Sequence, residues 1–195
     1  MLATLFGCAT LLTILVVSAR SYDHRDRHYA TGKSGRIDAP PGFAWVYRFV
    51  QGSTAIFGLL AFLVESPFLQ LHRNPAGILI GCATALLGLG IFRSAKTTLG
   101  RHYSPCFDSF LPRDVQLDGI YRRVRHPIYT GNIVILLGLT LATGSPALAI
   151  NLFLVTVYYS LSARREEAAL AERFPEYREY VGRSGRFVPF ALPDD

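Results

Sequence analysis

Charge is scarce in this sequence. Of its 195 residues only 17% are Asp, Glu, Lys or Arg, whereas 50% are hydrophobic, a balance too apolar for an average soluble domain of that length. Cysteine is nearly absent as well. Cys8, Cys82 and Cys106 are odd in number, far apart and without a CxxC pair or a histidine at ligand spacing, so neither a disulfide framework nor a metal site is indicated. GxGxxG, GxSxG and HExxH are all missing, which leaves Rossmann dinucleotide binding, serine hydrolysis and zinc proteolysis without support. A formal net charge of +6 raises nucleic acid as a partner. The basic residues, however, sit in blocks between apolar runs instead of forming one face of a soluble fold, so no nucleic-acid partner is expected.

What the chain has in abundance is uncharged sequence. Leu2 to Ala19, Phe49 to Val64 and Ala76 to Phe92 contain no charged residue, and each is near the roughly 17–20 residues that cross a bilayer core as a helix. The second run extends back to Phe43 or Ala44 if Arg48 snorkels toward the headgroups. A fourth run, Ile128 to Leu161, is too long for one span and is interrupted by Gly144-Ser145-Pro146, a turn signal. It predicts two short helices, Ile128 to Thr143 and Pro146 to Ser162, folded as a tight hairpin. Beyond them Leu170, Phe174, Tyr177 and Val181 recur at helical spacing, with Pro175 able to bend or divide the helix. The expected fold is an all-α polytopic membrane protein of five transmembrane helices, the last two a hairpin, with a cytoplasmic amphipathic C-terminal helix. Residues 1–92 would form a three-helix transmembrane region and residues 93–195 a catalytic region.

The positive charges test that reading. With five spans, Arg20 to Arg36, Arg93 to Arg125 and Arg164 to Arg186 fall on one side; with Arg48 at the inner end of the second span they account for nineteen of the twenty Lys and Arg, only Arg73 lying outside. Basic loops mark the cytoplasmic face, so the N-terminus is expected outside and the C-terminus inside. Val17-Ser18-Ala19 has the small residues of a signal cleavage site, but no basic segment precedes it, which favours an uncleaved anchor.

Three features on the expected cytoplasmic side bear chemistry. His126-Pro127 opens the hairpin, with Tyr129 about one turn further in; proline suits a first helical position and forces the preceding residue to be extended. Positive-inside topology alone explains Arg122 and Arg123, and a lone interfacial histidine is by default structural. The loop Thr97 to Tyr121 is long for an idle connector and reads as a ligand wall. Glu166 and Glu167 stand at the inner end of the fifth span, where they either pair with Arg164, Arg165 or Arg125 or bind a cationic or amine-bearing ligand.

In order, LDGIY, RHPIY with Gly131 two residues on, a hairpin, EE and FPEYREY resemble the isoprenylcysteine carboxyl methyltransferases and their phospholipid methyltransferase relatives, over about Leu99 to Pro189. The resemblance implies an integral membrane methyltransferase using S-adenosylmethionine, with the cofactor on the cytoplasmic side and a lipophilic acceptor entering from the bilayer. It implies cofactor contacts at Tyr121, His126, Pro127, Tyr129 and Glu166, and at the adenosine-wrapping segment Arg113, Asp114, Val115 and Gln116, which reads RDVQ where relatives show a His-x-Leu-Val type sequence. Four residues before Glu166 the family tends to place an acceptor-binding arginine, and this chain has Ser162, which favours an acceptor other than a prenylated-cysteine carboxylate.

The residues suit this chemistry on their own terms. Methyl transfer from a sulfonium needs alignment above all. Glu166, Glu167, Tyr121 and Tyr129 are available to hold a sulfonium and an α-ammonium, and His126 or Arg125 to hold an α-carboxylate. Glu167, with Arg164 and Arg165 beside it, is the candidate catalytic group; His126 or Glu167 would take a proton from a protonated acceptor. Two rivals remain. An NADPH-dependent reductase similar to the sterol reductases would need arginines such as Arg113, Arg122 and Arg125 converging on phosphates, and a non-catalytic membrane protein would need no ligand. Gly77, Gly81, Gly88 and Gly90 on the third span pack either against neighbouring helices or against a second subunit.

Overall fold

The computed structural model describes residues 2–21, 35–37, 42–64, 74–100, 110–112 and 114–189. Six α-helices lie among them: α1 (Leu2–Ser21), α2 (Phe43–Leu63), α3 (Pro75–Leu99), α4 (Pro127–Thr143), α5 (Pro146–Arg173) and α6 (Pro175–Arg183). Helices α1, α2, α3 and α5 are long and apolar enough to cross a membrane, whereas α4 has 17 residues. Large apolar side chains point outward from these rods, among them Leu12 at 63% exposed, Phe49 at 67% and Phe153 at 68%. Hydrocarbon is the solvent in which such a surface is stable. The chain is an all-α polytopic membrane protein.

Proline marks the starts. Pro75, Pro127, Pro146 and Pro175 each occupy the first turn of their helix, where a missing N–H costs nothing. Asn74 completes the start of α3 by accepting from the Gly77 N–H at 2.6 Å. Two helices run past the limits expected from their apolar runs. α3 continues from Phe92 to Leu99 because its polar end still buries Ala95, while the Thr97 and Thr98 hydroxyls fold back onto the Arg93 and Ser94 carbonyls at 2.8 and 2.9 Å. α5 passes through Ser162 without a break and forms one rod of 28 residues, about 42 Å long. It ends only where Pro175 forces Phe174 into an extended conformation (φ −125°, ψ 107°).

Glycines set the closest helix contact. On α3, Gly81 and Gly88 meet the α4 backbone at Ala142 and Ile135; on α4, Gly131 and Gly138 meet the α3 backbone at Phe92 and Ala85. A Cβ at any of the four would come within 3.0 Å of main-chain atoms, so the two helices touch backbone to backbone, the close approach small residues permit inside membranes. The pairing is antiparallel and brings the end of α3 to the start of α4. Gly90, by contrast, has nothing within 4 Å. From α4 the chain turns through Gly144, in the left-handed conformation at φ 62°, and α5 returns beside α4, with Asn132 donating to the Tyr159 hydroxyl at 3.0 Å. Antiparallel contacts also join α1 and α2, where Gly7 faces Phe62 and Gly58 faces Leu11. One end of the bundle thus collects the end of α3, the start of α4, the last third of α5 and all of α6. A two-residue antiparallel ladder, Gly35–Arg36 (β1) on Phe110–Leu111 (β2), is the sheet among the described residues.

Candidate active site

At that end the backbone is tied together by a strap. Residues 184–187 run alongside residues 123–126, with the Arg125 N–H donating to the Gly185 carbonyl at 2.9 Å, the His126 N–H to Arg186 at 3.0 Å and the Gly185 N–H to Arg123 at 3.0 Å. The Thr130 hydroxyl donates to the Phe187 carbonyl at 2.7 Å, and the Tyr180 hydroxyl to the Tyr121 carbonyl. Together with the Pro127 helix start, this fixes His126, which is 7% exposed.

The two glutamates on α5 meet His126 from different sides and have different surroundings. Glu167 is buried and surrounded by cations: Arg125 Nε lies 2.9 Å from Oε1, Arg186 Nη2 lies 2.6 Å from Oε2 with Nε at 3.0 Å from Oε1, and His126 Nε2 lies 3.2 Å from Oε1. Arg125 in turn donates to the Val181 carbonyl at 3.1 Å and to that of Ser184. Such a carboxylate is a keystone of the strap, since loss of its charge would leave two arginines facing each other. The hydrogen bond to Glu167 raises the pKa of Arg186 above its usual value, against partial burial. Glu166 instead accepts from the Tyr129 hydroxyl at 2.5 Å and lies 3.6 Å from His126 Nδ1. Behind it the His126, Tyr129 and Tyr159 rings are stacked, with centroids 5.2 and 4.5 Å apart and planes within 6°.

Glu166 faces a cavity of about 110 Å³. Its polar wall is Glu166, His126 and Arg125; its aromatic wall is Tyr121, Tyr177 and Tyr180; Leu99, Val115 and Leu170 supply apolar surface, and Asp114 and Gln116 its rim. Burial raises all three tyrosine hydroxyls above the ordinary phenol range, that of Tyr180 to about 12, so neutral rings surround the carboxylate.

Asp114, Val115, Gln116, Tyr121, His126 and Glu166 therefore line one cavity, as grouped from sequence. Pro127 sets the helix start and Tyr129 stands behind Glu166; Arg113 lies outside the described residues. Arg164 and Arg165 are not brought to Glu167: Arg164 is exposed, and the Arg165 guanidinium sits 4.4 Å over the Phe43 ring. Of the three arginines named as partners for the glutamates, Arg125 is the one that meets Glu167, from 42 residues away in sequence, and Arg186 joins it from 19 residues away. Of the three arginines considered for a phosphate-rich cofactor, Arg125 lines the cavity and is paired with Glu167, Arg122 is exposed, and Arg113 lies outside the described residues. Tyr180 and Arg186 were missed. Tyr180 had a signal, its spacing of three from Tyr177 in FPEYREY; Arg186 had none, because only the strap brings it to Glu167.

Residues 76–177 match the phospholipid methyltransferase family, the relative that the sequence resemblance placed beside the isoprenylcysteine enzymes. The chain is 34% identical over 106 residues to the cobalt-zinc-cadmium resistance protein CzcN of Cupriavidus metallidurans, covering 53% of this chain and 49% of that protein. It is 32% identical over 109 residues to the nickel-cobalt-cadmium resistance protein NccN of Alcaligenes xylosoxydans xylosoxydans, covering 55% and 51%. It thus spans about half the length of these curated relatives. The matched residues run from the start of α3 to Tyr177 on α6 and take in the glycine-packed helix pair, His126 and both glutamates, just over half of the sequence; the chain belongs to the phospholipid methyltransferase family.

Proposed function

We propose that the chain is an S-adenosylmethionine-dependent methyltransferase of the membrane, binding the cofactor in the Glu166 cavity and methylating a lipophilic acceptor that arrives through the bilayer. The observation that carries this reading is Glu166 itself, a partly buried carboxylate inside a ring of neutral tyrosines. Carboxylate plus aromatic faces is the donor set a sulfonium and an α-ammonium require, and Leu99, Val115 and Leu170 suit an adenine ring. The residues fit the group.

When bound, S-adenosylmethionine supplies a methyl carbon on a positively charged sulfur, which passes to the acceptor with departure of S-adenosylhomocysteine. In this reading Glu166 holds the positive end of the ligand, with its orientation fixed by Tyr129. Both His126 ring nitrogens face the glutamates, and the Arg125 side of the cavity is where a ligand carboxylate would lie. Glu167 acts indirectly, because with its oxygens already engaged by Arg125, Arg186 and His126 it holds the site together and takes no proton. Positioning of this kind supplies most of what an in-line displacement needs. Ser162, where the family tends to carry an acceptor-binding arginine, is fully buried and donates to the Tyr158 carbonyl at 2.9 Å, which favours an acceptor without a carboxylate.

The same reading makes α4 and α5 the fourth and fifth spans, a hairpin with its turn at Gly144 toward the outside and the C-terminus in the cytoplasm. α4, about 26 Å long by helical rise, crosses a core of about 30 Å with little to spare. Both curated relatives are named for metal resistance; among the described residues no three His, Cys, Asp or Glu are grouped to hold a metal, and the proposal for this chain rests on the cavity. The test is thermal stability of the detergent-solubilised protein with S-adenosylhomocysteine and with NADP. Stabilisation by the first alone is expected. Stabilisation by NADP alone would favour a reductase, and by neither a protein that binds no such cofactor.

A further inference from the structure

Between Glu166 and α2 the packing is aromatic. Tyr159 and Glu166 stand seven residues apart on α5, two helical turns and so on one face. Between them on that face is Ala163, which is fully buried. Its short side chain leaves a notch. Tyr129 of α4 fills it, packing in one cluster with Ala163, Tyr158 and Tyr159. The Tyr129 ring lies flat on Tyr159 with centroids 4.5 Å apart, His126 stacks on it at 5.2 Å, and its hydroxyl donates to Glu166 Oε1 at 2.5 Å.

The row of rings does not end at Tyr159. Asn132, three residues beyond Tyr129, donates to the Tyr159 hydroxyl at 3.0 Å and ties that ring to α4. Tyr158 meets Tyr159 edge-on at 5.8 Å, and Phe43, the first residue of α2, lies flat on Tyr158 at 3.8 Å. All four rings from Tyr129 to Phe43 are buried. In so close a packing each ring keeps its place only while the next one is present, because a missing ring opens space for its neighbour to turn into. Phe43 lies outside residues 76–177, which match the family, yet it closes the far end of a row whose near end is Glu166.

We propose that Tyr159 and Phe43 are positioning residues for the Glu166 site: they act through Tyr129, holding its hydroxyl on Oε1 and so fixing how the carboxylate is presented to a cationic ligand. This deepens the methyltransferase reading and rests on it for the identity of that ligand. A glutamate whose rotamer is set in advance binds a cation more tightly than a mobile one, since its ordering is completed on folding. Helix α2 therefore contributes to binding, although among the described residues none of its side chains lines the cavity.

The test is a double-mutant cycle on the full chain in lipid nanodiscs, with two readouts. One is S-adenosylhomocysteine affinity by titration calorimetry. The other needs no ligand: the carboxylate stretching band of Glu166, isolated as the infrared difference between each protein and its Glu166→Gln counterpart. Tyr159→Leu and Phe43→Leu should each weaken binding about fivefold in the wild-type background and less than about twofold in Tyr129→Phe, where the hydroxyl they serve is already gone. Tyr159→Phe, which keeps the ring, should restore most of what Tyr159→Leu loses. A merely structural role would lower the melting temperature and leave the losses additive. Losses of equal size in both backgrounds, or wild-type affinity in both leucine variants, would overturn the proposal; should Tyr159→Leu fail to fold, Phe43→Leu carries the cycle alone. If the wild-type protein binds no S-adenosylhomocysteine, the methyltransferase reading falls and the infrared band decides on positioning. A shift in Phe43→Leu that matches the shift in Tyr129→Phe then sustains it, and an unmoved band sinks it.

Discussion

Glu166 and Glu167 are neighbours in sequence with separate tasks. Glu166→Gln keeps shape and removes charge; a charge-assisted hydrogen bond is worth about 1.5–3 kcal/mol, so affinity for S-adenosylhomocysteine should drop at least about tenfold by titration calorimetry, with the melting temperature of the ligand-free protein little changed. Glu167→Ala should do the opposite in order of severity. It leaves Arg125 and Arg186, which share that carboxylate at 2.9 and 2.6 Å, without a counter-charge, and breaking a buried pair in this way costs about 3–5 kcal/mol. A clear fall in melting temperature without ligand is expected, and Arg186→Ala should reproduce part of it. If Glu167→Ala melted like wild type, the keystone role would be wrong.

The helices respond to substitution according to which neighbour they face. Gly88→Leu or Gly138→Leu would push a side chain into the backbone of the facing helix, an overpacking worth about 3 kcal/mol or more, and should cause poor expression or a strongly lowered melting temperature. Gly90→Leu, which meets nothing within 4 Å, should be tolerated; disruption by Gly90→Leu together with loss of a dimer on size exclusion would place a second copy on that face. The glycines of α3 were visible in the sequence as a packing surface, and what they pack on was not, because Gly131 and Gly138 answer them only across a loop. The starts of α4 and α5 were legible from Pro127 and Pro146. Helix ends were not, since α3 and α5 both continue well past the end of their apolar runs, where hydropathy stops reporting and buried Ala95 and Glu167 keep the rod packed. The same limit governed the site. His126, Tyr121 and Glu166 were grouped by the resemblance carried in LDGIY, RHPIY and EE, whereas Arg186 joins them only through the strap.

At the scale of the whole molecule, nearly every basic residue belongs to one side of the bilayer if α4 and α5 both cross it. A cysteine placed after Val188 should react with a membrane-impermeant maleimide only in inverted vesicles, and one placed before Leu2 only in intact cells; the reverse pattern would put the Glu166 cavity on the wrong face for a cytoplasmic cofactor. The most direct measurement is incubation of the purified, reconstituted protein with methyl-labelled S-adenosylmethionine and a total lipid extract, with the organic phase counted for wild type and for Glu166→Gln. Label in the lipid phase that falls at least about tenfold in the variant is expected. Label absent with wild type, or equal with both proteins, would contradict the assignment of this cavity to methyl transfer.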